Sequence, residues 1–137
     1  MNSPSHFVHV SPAKYATAFL AARGLSETIA NATSNPADVI AREGDAYLSR
    51  DGRSGFYVAA DGELCGMFSL VKGRGDAIVS NALFVGADHL DCFDGYLPTL
   101  YARHGFEAVK RAPNWTAGGP DVVYMVASEA AAPVELF

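Results

Sequence analysis

Residues 70–86 read LVKGRGDAIVSNALFVG: a strand ending at Leu70-Val71, a bend Lys72-Gly73-Arg74-Gly75, and a helix opening at Asp76-Ala77. The helix is expected to run about ten residues. Its apolar positions, Ala77, Ile78, Ala82, Leu83 and Val85, cover more than a thin stripe, as a helix wedged against a sheet requires. The first amides of a helix have no intrahelical acceptor, and glycines let a ligand approach the backbone closely. The bend is therefore a candidate anion site, with Lys72 and Arg74 adding positive charge to the helix's positive end. Asp76 competes as a capping carboxylate, and a plain strand-to-helix turn with solvent-facing basic residues accounts for the same letters. Neither common nucleotide motif fits: GRGDAI lacks the GK[ST] of a phosphate loop and the third glycine of a dinucleotide fingerprint.

Working outward, AYLS, GFYVAA and ELCGMFSL are separated by glycine-containing turns and read as an antiparallel meander. The run GELCGMFSLVKGRG joins this meander almost directly to the bend. Upstream, Phe7 to Val10 form a short strand, and Ser11-Pro12 start a helix with Tyr15, Ala18, Phe19 and Ala22 on one stripe, ending at Gly24. Asn35, Pro36 and Asp38 restart a short helix with the elements of a capping box, closed by Gly44, and this two-part helical region is placed to cover a site. Downstream come the strand HLDCF, the helix YLPTLYARHG, the strand FEAVKR, the irregular loop APNWTAGGP, the strand DVVYMVA and an apolar AAPVELF tail. The order predicts one α+β domain over 1–137, a mixed, mostly antiparallel twisted sheet flanked by helices, with its site where strands splay.

Composition narrows the function. The chain has 137 residues with 50% hydrophobic, and 10 basic against 15 acidic residues give a net charge of −5. Such a balance leaves too few cations for a nucleic-acid face and tolerates an amine or basic partner. The four histidines and two cysteines, Cys65 and Cys92, show no metal-ligand spacing, so no metal site is expected. No apolar run suits a membrane span or a secretory signal, which makes the cytoplasm the expected location.

Leu100-Tyr101-Ala102-Arg103-His104-Gly105-Phe106 is the second informative stretch. Tyr101 sits on a short helix beside the one that opens at Asp76-Ala77; a phenol with an ordinary pKa of about 10 serves as a proton or hydrogen-bond donor at neutral pH. A core tyrosine with its hydroxyl at the surface is the alternative. Trp115 in the glycine-rich loop either walls a pocket or anchors the loop, His104 reads as a capping or surface group, and Phe56, Tyr57, Phe68 and Tyr124 read as sheet core.

Together these stretches resemble the GNAT superfamily of N-acetyltransferases, which move an acetyl group from acetyl-CoA to an amine. The resemblance runs from about Gly55 to Ala127: Lys72-Gly73-Arg74-Gly75-Asp76-Ala77 is similar to motif A, Q/R-x-x-G-x-G/A with Lys first, and Leu100-Tyr101 with Gly105-Phe106 is similar to the LY…GF of motif B. The resemblance implies that Lys72, Gly73, Arg74, Gly75, Asp76 and Ala77 hold the CoA pyrophosphate and that Tyr101 is the general acid at the CoA sulfur. It implies an oxyanion donor among the amides of the splayed strand, near Leu70 or Val71. Asp91, Asp94, Glu63 and a water chain are candidates for the base, each carboxylate also readable as a turn cap or surface group. Against the family's longer strand ahead of motif A, the strand leading into Lys72 is expected to be shortened or lost. The implied partner is a small-molecule or protein amine, with a homodimer through an exposed sheet edge as a further expectation. A non-catalytic domain of the same fold, binding CoA or a protein, is the alternative.

Overall fold

Ser11 Oγ accepts the Lys14 N–H and Pro12 takes the first helical position, so helix α1 (Pro12–Leu25) starts where its capping residues place it. The structure, a computed structural model, describes residues 7–128; the AAPVELF tail lies outside the described residues. Ahead of α1 runs strand β1 (Phe7–Val10), and after it come the short helices α2 (Glu27–Ala32) and α3 (Pro36–Ile40). Ser26 caps α2, and Asn35 caps α3 by accepting the Ala37 N–H. Gly44 does not close α3; it opens strand β2 (Gly44–Ser49), where a Cβ would overlap Val58 O on the neighbouring strand.

The meander continues with β3 (Ser54–Ala59) and β4 (Leu64–Ser69), and Gly52 and Gly62 supply the positive φ its turns need. β4 has the same six-residue length as β2 and β3. Helix α4 (Gly75–Phe84), strand β5 (His89–Phe93), helix α5 (Tyr96–Arg103) and the antiparallel pair β6 (Phe106–Ala112) and β7 (Val122–Ala127) complete the order.

Among the described residues the strands form two antiparallel sheets rather than one, ordered β1-β2-β3-β4 and β5-β7-β6. Their link is a single parallel bridge, Glu63 to His89, reinforced where Asp88 N–H donates to Gly62 O at 2.9 Å. Beyond it β4 and β5 no longer pair. Two buried clusters hold the layers: Tyr15, Phe19, Ala22, Val39, Tyr57 and Phe68 on the α1 side, and Phe56, Ile78, Val79, Leu100, Tyr101, Phe106 and Val123 on the α4 and α5 side. Full burial of the Val, Leu, Ile and Phe side chains among them contributes roughly 1.5–3 kcal/mol each before ordering entropy is subtracted. Tyr124 departs from its expected core role: it faces outward, with Lys110 Nζ over its ring at 5.3 Å. Among the described residues no helix is long and apolar enough to cross a membrane.

Candidate functional site

Where β4 and β5 part, they leave a cavity of about 1190 Å³. Leu64 to Ser69 form one wall and Asp91 to Phe93 the other, while α2, α3 and the residues just after them close one end with Ile29, Thr33, Asp38, Val39 and Arg42. Gly75, Ile78 and Tyr101 reach it from α4 and α5, and Asn114, Trp115 and Thr116 from the β6–β7 loop. The two-part helical region thus lines the cavity.

A bulge shapes β4. Gly55 faces Phe68 and Tyr57 faces Cys65, two steps on β3 against three on β4, so one extra residue is carried between Cys65 and Phe68. Gly66 takes φ +58° there. The extra residue resets the alternation of faces: Leu64 and Met67 turn to the α4 side, Cys65 and Phe68 to the α1 side. Fully buried Tyr15 donates its hydroxyl to Gly66 O at 2.7 Å. Because a trans peptide is planar, the Met67 N–H then points the opposite way, away from α1.

Tyr101 approaches from the α5 side, its Oη 3.5 Å from Met67 Sδ and its ring edge-on to Phe106. Burial pushes its pKa well above the usual tyrosine value, with Cys92 and Asp91 adding to the effect, so it keeps its proton at neutral pH. Across the cleft Asp91 is open to the cavity, yet the surrounding walls push its carboxyl above the ordinary range, and the charge of Glu63 pushes the same way. Burial also raises the thiols, Cys65 to about 11 and Cys92 to about 12, which leaves both unionised; they are free rather than disulfide-bonded.

The glycine bend is anchored from behind. Arg74 Nη2 lies 2.7 Å from Asp51 Oδ2 and Nη1 lies 2.9 Å from Ser54 Oγ, so this guanidinium ties the bend to the β2–β3 turn. No side chain caps α4, and the first intrahelical bond is Ile78 N–H to Arg74 O, which leaves the amides of Gly75, Asp76 and Ala77 without an intrahelical acceptor. Asp76 turns toward α5, where Arg103 Nη2 at 3.1 Å and His104 Nε2 at 2.8 Å hold it. These bonds, His104 first, keep its carboxyl below the usual range. Gly75 is small for packing: a Cβ would stand 3.1 Å from Leu100 Cδ2.

Of the residues singled out in the sequence, the cavity brings together Gly75, Asp91 and Tyr101, with Glu63. Leu70, Val71, Lys72, Gly73, Arg74, Asp76, Ala77 and Asp94 lie outside its lining. The oxyanion donor expected near Leu70 or Val71 needs correction: Leu70 N–H donates to Arg53 O at 2.8 Å and Val71 N–H to Ser69 Oγ at 3.1 Å. Asp94 lies past β5, 2.9 Å from Arg111, whose hydrogen bond holds its carboxyl low. Sequence reasoning missed Arg42, Met67 and Phe93; only Phe93 left a signal, its alternation with Asp91 on one strand. Asp61, Glu63 and His89 also converge, but Arg42 already spans Asp61 and Glu63, at 3.3 Å and 2.9 Å, in the place of a cation. No family model, no curated protein and no solved structure matches this chain.

Proposed function

We propose that the chain is an acyl-CoA-dependent N-acetyltransferase acting on an amine. What supports this reading above all is the cleft between β4 and β5, into which the start of α4, the Gly66–Met67 bulge, Tyr101 and Asp91 all open or point. The amides of Gly75, Asp76 and Ala77 suit a pyrophosphate, and exposed Lys72 adds charge beside them in the bend. Arg74 serves by holding the bend. Acetyl-CoA supplies the activated acyl thioester.

The chain's own groups then divide the work. Asp91 takes one proton from the acceptor ammonium, and the freed nitrogen lone pair forms the new N–C bond at the thioester carbonyl carbon. The Met67 N–H is the donor for the charge that develops on the carbonyl oxygen. As the C–S bond breaks, sulfur leaves with the bonding pair and Tyr101 gives it a proton; one of the two protons left on nitrogen restores Tyr101, and the other stays in the amide. The net products are an N-acetylamine, free CoA thiol and one proton released from Asp91 to solvent. Tyr101 already directs its hydroxyl at a sulfur, Met67 Sδ. The reading also places the protein inside the cell, where acyl-CoA is present and free cysteines such as Cys65 and Cys92 persist.

The test is thermal stabilisation by acetyl-CoA, CoA and inorganic phosphate, followed by thiol release with a panel of amines. Stabilisation by both CoA compounds but not by phosphate, with amine-dependent thiol release, is expected. CoA binding without turnover favours a non-catalytic CoA-binding domain, and no binding by folded protein overturns both.

A further inference from the structure

The charged groups lining the cavity are Asp38, Arg42, Glu63 and Asp91. Arg42 is the one cation among the described lining residues, and it is clamped, Nη1 2.9 Å from Glu63 Oε1 and Nη2 3.3 Å from Asp61 Oδ2. Neither Asp38 nor Asp91 has a salt bridge among the described residues. An acceptor carrying a carboxylate would meet two unpaired negative charges and no free cation. A second positive charge meets the reverse.

The aromatic wall adds an independent requirement. Phe93 follows Asp91 by two residues on β5, so both project from the same strand face, their Cα atoms roughly 7 Å apart. Trp115 leans on Phe93 with ring centroids 5.7 Å apart, yet it remains 78% exposed. Its loop is braced, with Asn114 Nδ2 donating to Pro120 O at 2.8 Å and Thr116 N–H to Asn114 Oδ1 at 2.7 Å. A large indole held at a cavity rim with most of its surface unburied offers a π face to a ligand, and a cation is the partner such a face favours.

We propose that the acceptor is a compact alkyl diamine or polyamine, its reacting nitrogen at Asp91 and its second ammonium on the Phe93 and Trp115 faces. The acetyl step rests on the acyl-transfer reading; the charge selectivity of the cavity does not. Three amines of one chain length separate the possibilities: 1,4-diaminobutane, butylamine and 4-aminobutanoate end in a cation, a methyl and a carboxylate.

Calorimetric titration of each into the protein, alone and with saturating CoA, is expected to give at least tenfold tighter binding for the diamine than for butylamine, with 4-aminobutanoate weakest. The order of kcat/KM with acetyl-CoA is expected to match. Trp115→Ala, with its fold checked by thermal melting and CoA affinity measured alongside, is expected to cut the diamine preference below threefold. Binding of 4-aminobutanoate as tight as the diamine, equal binding of diamine and butylamine, binding of none of the three, or an undiminished preference in folded W115A each overturns the proposal. Selective diamine binding without acetyl transfer leaves this proposal standing and removes the acyl-transfer reading instead.

Discussion

Tyr101 and Tyr15 reach β4 from opposite faces, and their roles differ because their acceptors differ. Tyr15 gives its hydroxyl to a backbone carbonyl at 2.7 Å, a fixed structural bond; Tyr101 gives its hydroxyl to a thioether sulfur at 3.5 Å, a weak acceptor that is easily exchanged. Tyr101→Phe therefore loses little packing. On the acyl-transfer reading it is expected to fold, to keep its acetyl-CoA affinity within about threefold, and to lower kcat roughly 100-fold, the lower end for a lost general acid. Stopped-flow thiol release and a separate CoA titration check the two halves. An unchanged kcat would remove Tyr101 from the chemistry. Tyr101 was legible because its neighbours Leu100, Gly105 and Phe106 form a recognisable stretch; Tyr15 looked like any apolar stripe residue, since nothing in one helix announces that its hydroxyl meets a strand 51 positions later.

At the scale of elements, the bulge in β4 decides which backbone group faces the cleft. Gly66 is required twice over, by its φ of +58° and because a Cβ would overlap Tyr15 Oη, with Val39 Cγ1 only 3.2 Å away. Gly66→Ala is expected to lower stability by about 1–3 kcal/mol, measured by urea unfolding. On the acyl-transfer reading it is also expected to lower kcat more than acetyl-CoA affinity, since the α4 amides proposed for the pyrophosphate are untouched. A variant that unfolds at the wild-type midpoint would show that the strand accommodates a side chain without shifting. The meander itself was plain in the sequence, its turns marked by DGRS and ADG, whereas the bulge depends on how β4 pairs with β3. Alternation within one strand carries no information about its partner's register. The anchoring of Arg74 was hidden for the same reason: a basic residue beside glycines reads as a phosphate ligand until the turn holding Asp51 is folded against it.

Across the whole molecule, element order and layer composition were legible because caps, turn residues and hydrophobic period are local signals. The division into two sheets was not, since it turns on a single bridge between Glu63 and His89, and the cavity exists because pairing stops there. That cavity places Asp91 at odds with stability. Asp51, Asp76 and Asp94 have folded-state pKa values below their unfolded ones, so what they contribute is present above an unfolded value of about 3.9 and is lost as pH falls through the folded values. Asp91 has the opposite sign. Its folded pKa is raised, so between the unfolded and folded values the native state binds more protons, and stability falls as pH rises through that window. Asp91→Asn removes this penalty and is expected to melt above wild type at pH 7, with the gain disappearing below about pH 4, where both forms are neutral. On the acyl-transfer reading the same variant loses the rise in kcat that wild type shows as Asp91 ionises. Melting curves at pH 3.5 and 7 and a kcat–pH profile check both halves, and a D91N protein that melts lower at pH 7 would mean that the Asp91 carboxylate is stabilised by the walls around it.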